Sequence, residues 1–370
     1  MTITIKKPKI YIDNIIFSLQ KSGGISVVWY EILQRLLTDP EIDLHMIDLP
    51  NQNIFRKNLT IPSKVLCENN LSGYPLNVQR YLNPKTDGKG IFHSSYYRTS
   101  SSGNFVNITT VHDFTYEYFR AGIPRLIHQF QKSQAIKNSK KIICVSQNTK
   151  TDLMRFFPSI SQENIKVIYN GVDLVYRPLE KDETELFQIC PFSSGEYLLY
   201  VGDRKSSYKN FALAVKTSKQ TNRPLMMVGG GPLSEKENQV LVNVLGKNRF
   251  KILLGINNEQ LNRIYNHALC LIYPSLYEGF GIPVLEAQRA GCPVITTNKS
   301  SIPEVAGSGA ILLDEITGNQ LADAVKFLED NSEFTANLIQ KGYQNAERFS
   351  WDKCCLETKQ VYKEVYEEYF

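Results

Sequence analysis

Residues 273–287 of the 370-residue chain read YPSLYEGFGIPVLEA, and the rest of the sequence can be organised around this stretch. The apolar run at 269–273 predicts a buried strand, and Pro283 suits the first turn of a helix, where proline is tolerated. The loop between them therefore lies at the carboxyl end of a strand, the edge at which open α/β sheets bind ligands. The helix start offers unpaired N–H groups to an anion, and Gly279 and Gly281 allow close approach to the backbone.

Two carboxylates, Glu278 and Glu286, flank this glycine-rich helix start. For an isolated pair of glutamates, a solvated loop residue and a first-turn residue favoured by the helix dipole would be the ordinary explanation. The whole string, however, resembles the donor-site signature of the retaining glycosyltransferases of family 4, in which seven residues separate two glutamates. The resemblance implies that Glu286 binds the ribose hydroxyls of a nucleotide sugar and that Glu278 holds the transferred sugar. It also places the amides near Phe280, Gly281 and Ile282 against phosphate.

Length and composition predict two α/β domains in a reduced compartment. A chain of 370 residues with 42% hydrophobic content is too long for one ordinary core. No run approaches 18 consecutive apolar residues, and the N-terminus leads into a strand without an apolar signal core, so we expect the chain to stay in the cytoplasm. The seven cysteines have no C-x-x-C spacing, which favours reduced, buried thiols over disulfides or zinc.

Positive charge is concentrated in the first half of the chain. Residues 1–180 hold 22 Lys and Arg against 14 Asp and Glu, a net +8, whereas the remainder holds 20 against 23, a net −3. Solvated surface charge is the common explanation of such an excess. A basic surface can also attract anionic lipid headgroups or a phosphate-bearing acceptor, which allows peripheral contact with the inner face of the cytoplasmic membrane. Nothing in the sequence resembles a nucleic-acid-binding module.

The first half begins with a strand, a glycine turn and a helix. Residues 9–13 predict the strand, Gly23 and Gly24 the turn, and residues 26–37 an amphipathic helix. By itself the Gly-Gly pair indicates a tight turn. It also resembles the family's first-domain loop, which implies that the amide at Gly24 lies near the donor diphosphate. There is no G-x-G-x-x-G, so a dinucleotide fingerprint is not indicated.

His112 is the candidate site residue of the first half. Residues 50–90 lack sustained periodicity and predict a loop-rich region, after which 90–93 and 105–111 predict strands. His112 follows the second strand and therefore lies at its carboxyl end, beside Asp113. A lone histidine is usually structural, but enzymes of family 4 carry one in a comparable position near the donor sugar. The resemblance implies that His112 hydrogen-bonds the transferred sugar.

In the second half, residues 196–204 predict a strand that delivers Arg204, and Lys209 follows at a helix start. This arrangement resembles the arginine and lysine pair of the family, which implies that both cations bind the diphosphate leaving group. A departing diphosphate gains negative charge that fixed cations stabilise. The loop at 206–208 differs from the commoner forms, so the arginine assignment is the weaker one. Residues 229–231 are three glycines that predict a turn near the nucleotide, and the exit loop at Ile256 is placed to contact the base.

Further strands and helices complete an alternating pattern, and the segment at 301–305 matches the one that follows the glutamate pair in the family. The polar run at 178–185 predicts a linker. The remaining predicted strands are 140–145, 165–169, 224–228, 250–254, 292–297 and 310–313. A helix is predicted to start after a cap at Ser146, and the remaining predicted helices are 258–267, 321–328, 334–349 and 351–370. By the resemblance, the last helix packs back on the first domain.

We therefore predict the GT-B fold, two doubly wound Rossmann-like α/β domains that face a central cleft. The predicted acceptor-binding domain spans 1–177 and is joined by a C-terminal helix at about 355–370. The predicted domain for the nucleotide-sugar donor spans 178–354. The implied catalytic residues are His112, Glu278, Arg204 and Lys209, and the implied donor-binding residues are Gly24, Arg204, Lys209, Ile256, Phe280, Gly281, Ile282 and Glu286.

The implied reaction transfers a hexosyl group, with retention, from a nucleotide diphosphate sugar to a hydroxyl of a lipid-linked or oligosaccharide acceptor in cell-surface polysaccharide synthesis. The form of the second-domain loops resembles bacterial O-antigen and capsule mannosyltransferases and favours GDP-mannose, with a UDP-linked sugar as the alternative donor. The chain has no Asp-x-Asp triplet, so we expect metal-independent transfer without a cofactor. A nucleotide-sugar 2-epimerase and, outside the enzymes, a two-domain sugar-binding protein remain alternatives.

Overall fold

A computed structural model describes residues 7–85, 87–180 and 190–370. The chain divides into two compact units: unit 1 is Met1–Gly171 with Trp351–Phe370, and unit 2 is Val172–Ser350. The sequence prediction had placed these boundaries after residues 177 and 354. From position 181 onward, the predicted linker at 178–185 lies outside the described residues. The first six residues of the chain also lie outside them.

Each unit is built on a parallel sheet. In the described residues the strands are β1 (Lys9–Asp13), β2 (Asp43–Ile47), β3 (Leu66–Cys67), β4 (Gly90–Ser94), β5 (Phe105–Val111), β6 (Ser139–Cys144), β7 (Ile165–Val167), β8 (Leu198–Val201), β9 (Leu225–Val228), β10 (Phe250–Leu253), β11 (Cys270–Tyr273), β12 (Val294–Thr297) and β13 (Ile311–Leu313). The order in unit 1 is β3-β2-β1-β4-β5-β6-β7, and the order in unit 2 is β10-β9-β8-β11-β12-β13. Both are doubly wound sheets, which reverse direction between β1 and β4 and between β8 and β11.

Helices connect and cover the strands. In the described residues they are α1 (Ile15–Leu19), α2 (Gly24–Leu36), α3 (Leu76–Gln79), α4 (Thr115–Phe119), α5 (Gly122–Lys137), α6 (Gln147–Phe156), α7 (Phe211–Thr221), α8 (Glu235–Leu245), α9 (Asn258–His267), α10 (Ile282–Ala290), α11 (Ile302–Ala306), α12 (Gly318–Asp330), α13 (Ser332–Ala346) and α14 (Trp351–Tyr369). No helix in the described part of the chain has the length and apolar character needed to cross a membrane.

Apolar runs and polar caps explain where these elements form. Every residue of β4, β9, β11 and β12 is buried, as expected for parallel strands covered on both faces. Capping boxes begin α8, α9 and α12, where the cap side chain and the side chain three residues later each accept a backbone N–H. These caps fix where α8, α9 and α12 begin, whereas α7 and α10, which follow the loops of the candidate site, have no side-chain cap.

The predicted elements differ from the structure mainly at their ends. The helix predicted at 334–349 spans Ser332–Ala346, the strand predicted at 310–313 begins at Ile311, and the helix predicted at 26–37 begins at Gly24. Strand β2 and helices α1, α3, α4, α5, α8 and α11 were not predicted. The region at 50–90 is largely irregular, with short helical turns and the two-residue strand β3, as its lack of periodicity indicated.

A buried ion pair lies where the strand order of unit 1 reverses. Asp13 ends β1, and its Oδ2 accepts a hydrogen bond of 2.8 Å from Nε of Arg98, which follows β4. Asp13 Oδ1 accepts from the hydroxyl of Ser94 at 2.9 Å and from the amide of Ser95 at 3.2 Å. The side chains of Arg98 and Asp13 are 1% and 0% exposed. The pair therefore joins the two central loops of unit 1 from inside.

Helix α14 belongs to unit 1 although it follows unit 2 in the chain. The hydroxyl of Tyr362 lies 2.8 Å from Nδ1 of His93, on the buried strand β4. Near the start of the helix, Asp352 pairs with Arg35 of α2 at 2.6 Å. The C-terminal helix is thus attached to unit 1 by a buried hydrogen bond as well as by surface charge.

Gly309 allows α13 to pack closely against α10, the helix that carries Glu286. A Cβ at position 309 would lie 2.5 Å from Cα of Gly342 and 2.7 Å from Nε2 of Gln288. We expect Gly309→Ala to lower the free energy of unfolding by about 2–3 kcal/mol, because backbone atoms cannot move aside as a flexible side chain can. Urea denaturation measures this, with Gly103→Ala as the control because its Cβ would enter open space. Equal stability of the two variants would contradict the tight packing.

Candidate active site

The candidate site of unit 2 lies at the carboxyl edge of its sheet, where the strand order reverses. The order β9-β8-β11-β12 places the loops after β8 and β11 side by side. The first loop carries Arg204 and Lys209, and the second carries Glu278. This is the place at which a doubly wound sheet is expected to bind a ligand.

Lys209 and Glu278 form an ion pair across these two loops. The Nζ atom of Lys209 lies 2.6 Å from Oε1 and 2.8 Å from Oε2 of Glu278, so it contacts both carboxylate oxygens. The hydroxyl of Tyr273 is 3.5 Å from the same Nζ. The side chains of Lys209 and Glu278 are 15% and 11% exposed, so the pair is shielded but still reached by solvent. Lys209 and Glu278 therefore neutralise each other, although the sequence assigned Lys209 to the diphosphate and Glu278 to the transferred sugar.

Backbone contacts hold the two loops together around this pair. The side-chain amide of Asn210 donates to the carbonyl of Pro274 at 3.1 Å, and the amide of Leu276 donates to the carbonyl of Tyr208 at 2.8 Å. Asn210 has φ of 50°, a left-handed conformation that asparagine tolerates better than most residues. Lys209 is thus presented at the end of a short helical turn, immediately before α7 begins.

Two serines after β12 hold the loop that carries Glu278. The hydroxyl of Ser300 accepts the amide of Glu278 at 2.9 Å, and the hydroxyl of Ser301 donates to the carbonyls of Glu278 at 2.9 Å and Phe280 at 2.8 Å. Ser301 is fully buried. These bonds fix the backbone on both sides of Gly279, so the position of the Glu278 carboxylate depends on the neighbouring loop.

The glycine loop ends at the start of α10. Gly281 has φ of 109°, and a Cβ at this position would lie 3.1 Å from Cδ1 of Ile302. Glycine therefore serves both the turn and the close packing. The ring of Phe280 is buried and meets Phe349 edge to face at 5.7 Å between centroids. Ile282 is the first residue of the helix, so its amide has no partner within α10. Pro283 has no N–H, and the amide of Val284 donates to the carbonyl of Gly281 at 3.0 Å.

Glu286 lies one turn into α10 and is held by two tyrosines. The hydroxyl of Tyr265 donates to Oε2 at 2.9 Å, and Tyr176 also donates to the carboxylate. Burial raises the pKa of Glu286 to about 7, and the two tyrosine hydrogen bonds oppose this rise. Nearby Asp173 raises the pKa further. The carboxylate is therefore oriented and can change its protonation near neutral pH.

Arg204 is buried against the glycine turn that follows β9. Its guanidinium donates to the carbonyl of Gly229, and Nη2 donates to the carbonyl of Gly231 at 2.8 Å. The three glycines 229–231 all have positive φ, and a Cβ on Gly230 would lie 2.8 Å from Nη1 of Arg204. The glycines therefore accommodate the arginine. Several of the donors that the prediction assigned to diphosphate are engaged by the protein's own backbone.

Ile256 and Gly24 lie at two other loops named by the sequence. Ile256 is partly buried in the loop between β10 and α9, just before the capping box of Asn257 and Gln260. Gly24 is the first residue of α2 in unit 1, and a Cβ there would meet no atom within 4 Å. Nothing in the packing of unit 1 requires glycine at position 24.

His112 follows β5 in unit 1 and is almost completely buried. Burial lowers the pKa of its imidazole to about 4, and the charge of Lys132 lowers it too, against the opposing effect of Asp113. Its Nε2 is enclosed and has no hydrogen-bond partner in the described part of the chain. The ring is therefore neutral at neutral pH and retains an unused hydrogen-bonding atom.

No group of three or more His, Cys, Asp or Glu side chains is arranged to hold a metal in the residues that the structure describes. The seven cysteines are all free thiols, and burial raises the pKa of Cys144 to about 12. No disulfide therefore supports either unit.

Family models match both halves of the chain. Residues 22–176 match the model described as Glycosyltransferase Family 4, and residues 181–345 match the model described as Glycosyl transferases group 1. Together the two matches cover most of the sequence, including every candidate residue named above. The chain belongs to glycosyltransferase family 4.

Curated relatives of this glycosyltransferase include enzymes of O-antigen assembly. The O-antigen chain mannosyltransferase B of Escherichia coli is 26% identical over 69% of this chain and 70% of its own length. The O-antigen chain mannosyltransferase RfbU of Salmonella typhimurium is 27% identical over 60% of each chain, so the match leaves out two-fifths of that relative. The chain is therefore a transferase of this family, similar at low identity to mannosyltransferases.

Solved structures support the fold. Sucrose-phosphate synthase from Thermosynechococcus elongatus superposes with a TM-score of 0.77 at 16% identity, over 98% of this chain and 100% of that one. Structural similarity at 16% sequence identity shows a shared fold and does not show a shared activity. The predicted fold class is confirmed: the glycosyltransferase has the two Rossmann-like parallel sheets of the GT-B fold.

Several residues that shape the site were given no role in it from the sequence. They are Ser300, Ser301, Asn210, Tyr265 and Tyr176, and they act by holding Glu278, Lys209 or Glu286. The two serines carried a usable signal, because they follow β12 at the same sheet edge. The tyrosines carried none, since their spacing from Glu286 in sequence does not indicate contact.

The raised pKa of Glu286 predicts a pH-dependent stability of this glycosyltransferase. As pH rises from about 4.5 to about 7, Glu286 loses its proton in the unfolded chain, where its pKa is 4.5, but keeps it in the folded chain, where its pKa is about 7. The stabilising effect of the protonated carboxyl is therefore complete below about pH 4.5 and lost as pH rises through about 7, by up to about 3 kcal/mol. Glu286→Gln cannot ionise and should remove this part of the pH dependence. Urea denaturation at about pH 5 and about pH 8 measures the difference.

The exposed carboxylate Glu315 provides the control for that experiment. Glu315→Gln should leave the pH dependence of the native chain unchanged. If Glu315→Gln and Glu286→Gln flatten the curve equally, the dependence does not come from the carboxylate of Glu286.

Proposed function

We propose that this glycosyltransferase moves a mannosyl-like hexose, with retention of configuration, from a GDP-linked sugar to a hydroxyl of a lipid-linked or oligosaccharide acceptor in cell-surface polysaccharide synthesis. The observation that carries the proposal is the ion pair of Lys209 and Glu278 at the reversal of the unit 2 sheet. The choice of mannose and of a polysaccharide acceptor is supported by similarity to the E. coli and Salmonella O-antigen mannosyltransferases.

The ion pair is suited to exchange partners when a donor binds. A diphosphate oxygen can replace the Glu278 carboxylate at Nζ of Lys209, because both are anionic oxygen ligands of an ammonium. The released carboxylate then accepts hydrogen bonds from hydroxyls of the transferred sugar. Each partner holds the other in place beforehand, so little reorganisation remains for the step in which charge develops on the diphosphate.

Backbone amides supplement this single cation. In our proposal the amides near Phe280, Gly281 and Ile282 face the phosphates, as helix starts commonly do. The amide of Gly24 is assigned to the diphosphate as well, and backbone at Ile256 to the base. Arg204 contributes positive charge from behind the glycine turn, and we expect a smaller effect from its removal because carbonyl groups already engage its guanidinium.

Glu286 is assigned to the ribose, with Tyr265 and Tyr176 as positioning residues. An ionised carboxylate can accept two hydroxyl donors, and the tyrosines leave that role open because each occupies only part of the carboxylate. His112 is assigned to a hydroxyl of the transferred sugar. Its neutral imidazole and unpartnered Nε2 support a hydrogen bond with the sugar rather than an ionic contact.

The donor is identified by measuring thermal shifts with GDP, UDP and their hexose conjugates. A ligand that binds only the folded state raises the melting temperature, and at equal concentration the ligand with the lower Kd raises it more. We expect GDP and GDP-mannose to give the larger shift. A larger shift with UDP and its sugars would replace the GDP assignment. If the preferred nucleotide sugar is converted to its 2-epimer when no acceptor is present, the enzyme is an epimerase and the transfer proposal is contradicted.

Lys209 should carry much of the leaving-group stabilisation. We expect Lys209→Ala to reduce turnover by on the order of a hundredfold, since one preorganised charge-stabilising group commonly contributes that much. Lys205→Ala is the matched control, because this lysine is exposed in the same loop. Turnover is measured by release of nucleoside diphosphate in excess EDTA. Near-normal turnover of Lys209→Ala, or loss of native activity in EDTA with recovery in Mg²⁺, would contradict metal-free catalysis by Lys209.

We also propose that the protein works at the inner face of the cytoplasmic membrane, in peripheral contact with anionic lipid. The support is the net charge of +8 in residues 1–180 together with a lipid-linked acceptor.

A further inference from the structure

The first three turns of helix α5 bury polar side chains and expose apolar ones. Its buried face carries His128, Gln131, Lys132, Ala135 and Ile136. The opposite face exposes the α5 stripe, which consists of Ile123, Leu126, Ile127 and Phe130 at helical spacing. Ile123, Phe130 and Leu126 are 70%, 68% and 65% exposed. An amphipathic helix on a globular unit normally has the reverse orientation, so this exposure requires an explanation.

The orientation is imposed by the contacts of the buried face. Nζ of Lys132 pairs with Glu117 at 2.9 Å and donates to the carbonyl of Asp113 at 2.8 Å, with no solvent exposure of its side chain. Nε2 of His128 lies 3.0 Å from the hydroxyl of Tyr96. Turning the stripe inward would separate a buried ion pair and strand its charges. The exposure of the stripe is therefore built into the packing of unit 1.

The apolar surface extends beyond the helix. A groove of about 510 Å³ lies beside the stripe and is lined in part by Leu126, Ile127, Phe130 and the half-exposed Tyr81. Isoleucine, leucine, phenylalanine and tyrosine side chains are those that insert at the boundary between lipid headgroups and acyl chains. The apolar surface is thus larger than one helix face, and its aliphatic and aromatic side chains are of the kinds found at a bilayer interface.

In the chain segment that contains the stripe, the charged residues are all basic, although Lys132 is buried in its pair with Glu117. Residues 118–151 contain seven Lys or Arg and no Asp or Glu. Exposed Arg120 precedes the stripe, and exposed Lys137 follows Phe130 by seven residues, on the same face of the helix. Cations at both ends of an apolar stripe complement a surface that is anionic outside and apolar beneath.

We propose that the α5 stripe inserts into the headgroup region of an anionic lipid bilayer, with Arg120 and Lys137 on the lipid phosphates. This inference deepens the proposed membrane contact by naming the surface that makes it, and it is independent of the donor assignment. The helix lies along the membrane plane and places β4, β5 and their loops near the lipid surface, since α5 packs on that part of unit 1 through Lys132 and His128.

Vesicle sedimentation with the full chain tests the inference. The probes are vesicles of equal parts phosphatidylcholine and phosphatidylglycerol, compared with phosphatidylcholine alone. We expect binding to the anionic vesicles, and the double substitution Leu126→Gln with Phe130→Gln should weaken it at least about tenfold because two apolar side chains no longer enter the lipid. Leu356→Gln is the matched control, since this leucine is 61% exposed on a helix of the same unit.

A charge variant tests the second half of the proposal. Arg120→Gln with Lys137→Gln should weaken anionic binding about fivefold per charge, and added salt should weaken binding by the native chain more than by this variant. If the apolar double variant does not fold, Leu126→Gln alone and the charge variant decide the matter. Glutamine is chosen because it preserves helix propensity.

Three outcomes would overturn the inference. These are unchanged sedimentation of the apolar variant, equal binding of the native chain to both kinds of vesicle, and self-association through the stripe in sedimentation velocity without vesicle binding. The donor proposal is tested separately by the thermal shift with nucleoside diphosphates, which the apolar variant should retain. Loss of vesicle binding with a retained nucleotide shift therefore separates the two proposals.

Discussion

The ion pair between Lys209 and Glu278 depends on a constraint of parallel sheets. Adjacent parallel strands present their carboxyl ends at one edge, and where the strand order reverses, the two loops diverge and leave room for a ligand. In unit 2 the reversal falls between β8 and β11, and each of their loops supplies one charge of the pair. The other features of the site, namely the serines after β12, the glycine turn after β9 and the tyrosines near α10, serve to hold these loops in register.

The same topology produces an ion pair in each unit. The two pairs differ in burial, and this difference indicates which pair supports the fold and which can meet a ligand. In unit 1 Asp13 and Arg98 also lie where the strand order reverses, but their side chains are 0% and 1% exposed. Breaking such a pair leaves an uncompensated buried charge, which is strongly unfavourable. Lys209 and Glu278 are 15% and 11% exposed, so an incoming anion can replace the carboxylate without stranding it from all solvent. The exposed fraction therefore distinguishes the pair in unit 2, which solvent still reaches, from the pair in unit 1, which it does not.

The sequence was informative where a physical rule connects it directly to structure. Buried parallel strands are short apolar runs, so β8, β9, β11 and β12 could be located before the structure was known. The positions of Lys209 and Glu278 at strand ends followed from that. Their direct contact did not, because it depends on the Asn210 and Ser300 hydrogen bonds between loops. Strand β2 was missed because Asp43 and His45 interrupt its apolar pattern.

Helix α5 shows a limit of periodicity as a guide to packing. The spacing of Ile123, Leu126, Ile127 and Phe130 indicates a helix with one apolar face, and the usual rule would turn that face inward. The rule fails here because both polar side chains have partners inside unit 1. Lys132 pairs with the carboxylate of Glu117 in α4, and His128 hydrogen-bonds the hydroxyl of Tyr96 in the loop after β4. Polar partners contributed by distant parts of the chain thus decide which side of the helix is buried. A sequence pattern records the two faces of a helix, but the partners available to the polar face determine whether the apolar face remains exposed.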